Sequence, residues 1–195
     1  MTPNSTREHL IEVGQKLMRR YGYNATGLSD ILKAADVPKG SFYHHFDSKE
    51  DFAKAALDKY RDSLAERTAA ALNNSKVAPL KRLKGLFTDL IKTSGHSGPI
   101  PGCMLGRFSL EIATDHPQLR EQLSTGFSNW QRAITAVLQQ AVAQKELPAS
   151  TNPELLAGFV VNSWEGALLR SQAEKSDAPL QTFMEYIFDV LLKKR

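Results

Sequence analysis

An all-α protein is what the sequence predicts, and three observations carry that expectation. Apolar residues recur at three- and four-residue spacing along nearly the whole chain. No segment alternates strictly over the length of a strand. Proline, glycine and clustered polar residues interrupt the pattern at helix-sized intervals. The expected organisation is a compact N-terminal domain over residues 1–47 and a larger helical bundle over 48–195.

The first helix is expected from about Thr6 to Tyr21, with Ser5 and Glu8 as a capping box and Leu10, Val13, Leu17 and Tyr21 on one face. Gly22 ends it, because glycine enters the left-handed cap conformation without penalty. A short helix follows over Ser29 to Ala35, with Ile31, Leu32 and Ala35 turned inward. Asp36-Val37-Pro38 breaks it, since proline disfavours helical geometry at the residue before it. Another short helix carries Ser41 to Phe46, and Ser48 with Asp51 caps a long one reaching about Leu72. After the Asn73-Asn74-Ser75 break, Pro79 opens a helix bearing Leu83, Leu86, Phe87, Leu90 and Ile91. The stretch Ser94 to Gly102 is the most irregular in the chain. Further helices are expected near Met104–Thr114, Pro117–Gln144, Pro153–Gln172 and Pro179–Leu192.

Composition narrows the function classes. The 195 residues hold 25 Lys+Arg and 21 Asp+Glu, a net charge of +4, which permits a nucleic-acid partner without demanding one. One cysteine excludes an intramolecular disulfide framework and a cysteine-rich zinc site. The longest apolar runs are far below the ~18 residues that cross a bilayer. Nothing at the start reads as a signal peptide, so no membrane association and a cytoplasmic location are expected.

Residues 26–46 carry the chemistry. Two short helices joined by a tight turn suit a helix-turn-helix, in which the first braces on the phosphate backbone and the second offers its N-terminal residues to the major groove. Val37 plugs the angle between them. Lys39 and Gly40 open the second helix, where free N–H groups attract phosphate and glycine allows close approach. Ser41, Tyr43 and His44 are its exposable polar groups, anchored by Phe42 and Phe46. Up to Phe46 there are six basic residues (Arg7, Lys16, Arg19, Arg20, Lys33, Lys39) and four acids (Glu8, Glu12, Asp30, Asp36). So slight an excess leaves hydroxyls and backbone amides to share the phosphate contacts.

The run Val37-Pro38-Lys39-Gly40-Ser41-Phe42-Tyr43-His44-His45-Phe46, followed by Ser48-Lys49-Glu50, resembles the signature of TetR-family transcriptional repressors, and Tyr21 to Thr26 resembles the approach to that family's second helix. The resemblance is specific over residues 6–55 and architectural beyond them. It implies a homodimer on a palindromic double-stranded DNA operator, one recognition helix per half-site, with half-sites roughly 34–36 Å apart or a multiple. It further implies that Thr26 caps the bracing helix at a phosphate, that Ser29 stands on that helix, and that Tyr43 and Lys49 contact the backbone. Lys39, Gly40, Ser41 and His44 would lie nearest the bases, while Pro38 and Gly40 suit apolar contact with a thymine methyl. The last two helices, with Gly158, Ala167 and the apolar row from Phe183 to Leu191, would pair with their symmetry mates or else form internal core.

The same resemblance implies an effector site in the helical bundle. Phe87, Phe108, Phe127, Trp130, Phe159 and Trp164 are its aromatic candidates, with core packing as the alternative for each. The two tryptophans stand out because a buried indole N–H needs a partner. Arg107, Glu111, Asn162, Glu165 and Arg170 are mid-helix polar groups that line a cavity or face solvent. Cys103 starts a helix, where the dipole favours thiolate, and Arg107 lies one turn on. Thr6 to Leu10, Gly27-Leu28-Ser29 and Val37 to Tyr43 also resemble the NemR-like, electrophile-sensing branch of the family. In that branch a Gly-Cys pair, here Gly102-Cys103, reacts with quinones, aldehydes, activated alkenes or hypochlorous species. Its partner lysine is replaced here by Gln172, with Lys175 three residues on, so covalent sensing and non-covalent ligand binding both stay open.

No enzyme is expected. Cys103 with His96 or His116 lacks any supporting constellation, and there is no nucleophile elbow, phosphate loop or dinucleotide fingerprint. No metal or cofactor is expected either, since adjacent His44 and His45 would point about 100° apart on a helix. The competing expectation is a helical interaction or ligand-binding module without sequence-specific DNA binding. Burial of Lys39 and Tyr43 would favour it, and their exposure on one face beside Thr26 and Lys49 would weaken it.

Overall fold

The computed structural model describes residues 3–93 and 102–192, and among them every regular element is helical. The elements are α1 (Pro3–Tyr21), α2 (Leu28–Ala35), α3 (Lys39–Tyr43), α4 (Lys49–Leu72), α5 (Pro79–Thr93), α6 (Met104–Ile112), α7 (Pro117–Ala143), α8 (Pro153–Glu174) and α9 (Ala178–Glu185). A π-helical continuation, Tyr186–Leu191, extends α9. Most of the irregular stretch read from the sequence, and with it His96, lies outside the described residues. No described helix is long and apolar enough to cross a membrane.

Contacts divide the chain into two compact units: Met1–Leu64 with Cys103–Gly126, and Ala65–Gly102 with Phe127–Arg195. The functional division expected after residue 47 is a separate matter and stands as a proposal.

In the first unit, α1 starts at Pro3, so Ser5 and Glu8 lie within the helix and not at the flanking position where a capping box forms. Its buried stripe is Leu10, Ile11 and Met18, while Val13 and Leu17 are half-buried and Tyr21 is exposed. The inward face is thus rotated from the expected one. Gly14 lies on that stripe because a Cβ there would stand 2.2 Å from Phe52 Cζ. Phe42, Phe46 and Phe52 form one aromatic base, with ring centroids 5.2, 5.4 and 4.9 Å apart. Ser48 Oγ accepts the Asp51 N–H at 3.0 Å and starts α4 as its sequence spacing predicts.

In the second unit, Phe87 is the hub of an aromatic core. Its ring centroid lies 5.1 Å from Trp164, 4.9 Å from Phe183 and 6.1 Å from both Trp130 and Phe188. Asn152 caps α8 by accepting from Glu154 N and Leu155 N, both at 3.1 Å. Arg82 is buried, donating to the last carbonyl of α4, at Leu72, and at 2.6 Å to Gln140 Oε1. The wider π turn shifts the register of the C-terminal helix. Phe183, Ile187 and Phe188 therefore point into the core, while Tyr186, Val190 and Leu191 are exposed. The single apolar face expected from Phe183 to Leu191 is split.

Candidate nucleic-acid interface and effector residues

The short helices of the N-terminal region are held by local backbone chemistry. Gly22 takes φ +91°, and its N–H donates to Met18 O at 2.9 Å, closing α1. Thr26 is 2% exposed and its hydroxyl donates to Gly22 O at 2.6 Å, bracing the loop from within. The N-cap of α2 is Gly27, whose N–H donates to Asp30 Oδ2 at 3.1 Å, so the cap expected at Thr26 falls one residue later. Asp36 ends α2 in the left-handed conformation, φ 53° and ψ 46°, and Val37 N–H closes back on Leu32 O at 3.1 Å. A short polar side chain tolerates that conformation better than a branched one.

α3 begins at Lys39 and ends at Tyr43, earlier than the Ser41–Phe46 span read from the sequence. Pro38 is its N-cap, φ −63° and ψ 147°. Phe42 is fully buried, whereas Pro38, Lys39, Gly40, Tyr43 and His44 are exposed and Ser41 is half-buried. Tyr43 is 53% exposed and Lys39 is exposed, whereas Thr26 is buried and Lys49 half-buried, so only part of the pattern that would weaken a module without DNA binding is present. A Cβ on Gly40 would meet nothing within 4 Å. Ser29 is exposed on α2.

Lys49 is half-buried with Nζ 4.4 Å from the Tyr23 ring centroid. Burial pushes its ammonium below the ordinary value, and the Glu111 charge opposes that shift. Sequence reasoning missed three further contacts in this unit. The Arg7 guanidinium lies 5.2 Å over the Phe46 ring. His116 Nδ1 is 3.0 Å from Glu50 Oε2, and that hydrogen bond holds the Glu50 carboxyl below its ordinary value. Glu111, expected as a cavity-lining or solvent-facing group, instead accepts the Asn24 N–H at 2.9 Å. Only the last had a visible sign: an acid in the final turn of α6 opposes the helix dipole and so suggests a specific partner.

Cys103 is the N-cap of α6 and is 9% exposed. The Tyr60 hydroxyl donates to its Sγ at 3.6 Å, and the Arg107 N–H donates to its carbonyl at 3.0 Å. Phe108, in the same unit, is fully buried and meets Tyr23 edge-on at 5.9 Å.

Trp130 and Trp164 belong to the other unit, each 4% exposed. The Trp130 Nε1–H is buried and has no partner among the described residues, an arrangement that costs a folded protein about 1–3 kcal/mol. The Gln172 side-chain amide fills the space over Gly102: a Cβ there would stand 2.2 Å from its Nε2. Arg170 is paired with Glu174 at 2.6 Å, and Phe159 is 54% exposed, so neither lines the aromatic core.

Along α8, Leu155, Phe159, Asn162, Gly166 and Leu169 recur at alternating four- and three-residue steps, and all five are exposed. An open apolar groove of about 950 Å³ adjoins this stripe, lined by Leu147, Leu155, Leu156, Phe159 and Leu191 among others. No cluster of three or more metal-ligating side chains occurs among the described residues.

Residues 10–56 match the family described as bacterial regulatory proteins, tetR family, and residues 79–187 match the tetracyclin repressor-like C-terminal domain. The chain is 33% identical over 192 residues to the HTH-type transcriptional repressor DhaR of Mycobacterium sp. (strain GP1), covering 98% of this chain and 95% of that protein. It is 29% identical over 194 residues to the HTH-type transcriptional repressor NemR of Escherichia coli (strain K12), covering 97% and 96%. The crystal structure of the reduced form of Escherichia coli NemR superposes with a TM-score of 0.87 at 28% identity, over 95% of this chain and 96% of that one. The crystal structure of regulatory protein TetR from Rhodobacter sphaeroides also gives 0.87, at 34% identity, covering 91% and 94%.

Proposed function

The chain belongs to the TetR family of bacterial regulatory proteins, and from that premise we propose that it is a repressor that binds a palindromic operator as a homodimer and is released by a small-molecule or electrophile effector. Its relatives are transcriptional regulators of that family, not enzymes. The observation that carries the reading is the two-sided construction of α3, with Lys39, Gly40, Tyr43 and His44 exposed over the buried Phe42. In this reading Lys39, Gly40, Ser41 and His44 face the base edges, and Pro38 and Gly40 meet a thymine methyl. Tyr43, Lys49, Ser29 and Thr26 serve the backbone side, Thr26 by fixing the loop that launches α2.

The exposed α8 stripe supports the homodimer, because large apolar side chains at Leu155, Phe159 and Leu169, with the small Gly166 between them, are what two packed helices share. An effector then acts by favouring a separation of the two α3 helices that no longer fits successive turns of the major groove.

Two effector chemistries follow from different observations. Cys103 at the N-cap of α6, with the Tyr60 hydroxyl on its sulfur and Arg107 and Phe108 on the same helix, suits covalent sensing. The unpartnered Trp130 N–H beside the Phe87–Trp164 core suits a non-covalent ligand. A footprint on DNA upstream of its own gene, run with and without N-ethylmaleimide and repeated with Cys103→Ser, tests both. A palindrome protected by both proteins and released only from the wild type supports the cysteine. Release from the Cys103→Ser protein shows that the cysteine is not the sensor, and persistent protection of the wild type directs the search to a ligand near Trp130 and Trp164. No protected palindrome overturns the operator reading.

A further inference from the structure

Glu111 lies in the last turn of α6, where the negative end of the helix dipole disfavours a carboxylate. Its contacts explain the placement. Oε2 accepts the Asn24 N–H at 2.9 Å. A Cβ at Gly22 would stand 1.9 Å from Oε1 and 2.6 Å from Cδ, so the carboxylate rests directly on the backbone that ends α1. The loop between α1 and α2 is therefore pinned twice, from within by the Thr26 hydroxyl on Gly22 O and from outside by Glu111.

We propose that Glu111 is a positioning residue for DNA reading: its grip on the Gly22–Asn24 backbone fixes the loop that launches α2, and with it the attitude of α3. The proposal rests on the DNA-reading role given above. α6 is nine residues long and starts at the Cys103 N-cap, so a displacement at its first turn reaches this loop through one rigid helix.

Charge and positioning predict opposite signs for the same substitution. Removing an acid near a polyanion tightens binding to any duplex. Losing a positioning contact weakens binding only where sequence is read. The experiment measures affinity by fluorescence anisotropy for the footprinted operator and for a scrambled duplex of equal length, with circular dichroism as a check of folding. Glu111→Ala is expected to lose about tenfold on the operator and to hold within about twofold on the scrambled duplex. Glu111→Gln, which keeps an acceptor in place, is expected to recover most of the loss. Glu111→Asp keeps the charge but retracts the oxygens, and is expected to behave like Glu111→Ala; it also stands in if the alanine variant fails to fold.

Equal losses on both duplexes, no loss on the operator, or a glutamine variant as weak as the alanine one would overturn the proposal. A wild type with no operator preference would overturn the DNA-reading role and this proposal with it. A selective wild type beside an equally selective Glu111→Ala would overturn this proposal alone.

Discussion

Gly22 was readable as a helix stop from sequence, because a lone glycine after an amphipathic run is the usual left-handed cap. What could not be read was the second demand on it, the Glu111 carboxylate lying against its Cα, which joins residues 89 positions apart in the chain. Gly22→Ala is expected to destabilise the fold by about 1–3 kcal/mol through the positive φ, measured as a shift in urea midpoint at constant slope. An unchanged midpoint would show that the backbone relaxes there at no cost. Glu50 gives a pH signature. Its folded carboxyl lies below the ordinary value of 4.5 through the His116 hydrogen bond, so its contribution is fully present above that value and lost as pH falls through the depressed one. The stability gap between wild type and Glu50→Gln is therefore expected to be largest near neutrality and to close in acid. A gap that widens on acidification would contradict the assignment. Thr26 shows the limit of reading roles by resemblance: its hydroxyl is turned inward to Gly22 O, a contact that only the folded loop reveals.

Helices were legible where proline, glycine or serine marks their ends. Pro79, Pro117 and Pro153 begin helices as the spacing indicates, and Ser48 caps α4. The errors lie in phase, not in existence. α3 starts two residues earlier than Ser41, and the π turn after Glu185 rotates the last helix so that one apolar row serves both core and surface. Period alone cannot register a turn of different width. α3 itself yields two predictions. Gly40→Ala is expected to leave stability unchanged or raise it by up to about 1 kcal/mol, since a methyl there meets nothing within 4 Å, yet to weaken operator binding. Thermal unfolding and anisotropy on one sample check both halves, and unchanged affinity would remove Gly40 from the interface. Phe42→Ala is expected to cost about 3–5 kcal/mol, because it removes the centre of the Phe42–Phe46–Phe52 base.

The first compact unit is discontinuous in sequence, because Cys103–Gly126 returns to join the N-terminal helices. Contacts between segments so far apart leave no periodic trace, so this return is not legible in the sequence. On α8 the sequence points to Gly158 and Ala167, which are half-buried, whereas the exposed residues are Leu155, Phe159, Asn162, Gly166 and Leu169, a choice of face that spacing alone does not make. Replacing Leu155 and Phe159 together by glutamate is expected to give a monomer by analytical ultracentrifugation, with operator affinity reduced by about two orders of magnitude as the second half-site is lost. A variant that stays dimeric would move the subunit contact elsewhere.

The aromatic base beneath α3 has a consequence for how such a protein changes over time. Phe42, Phe46 and Phe52 hold the helix from one side only; Lys39, Gly40 and His44 lie exposed, away from that base, and exposed Tyr43 adds one edge-on ring contact with Phe42 at 5.4 Å. Exchange of the outward residues is therefore nearly free of folding penalty. A lineage can drift toward a new target sequence by single steps, each intermediate remaining folded, and a designer can swap the same residues as a set while leaving the base untouched.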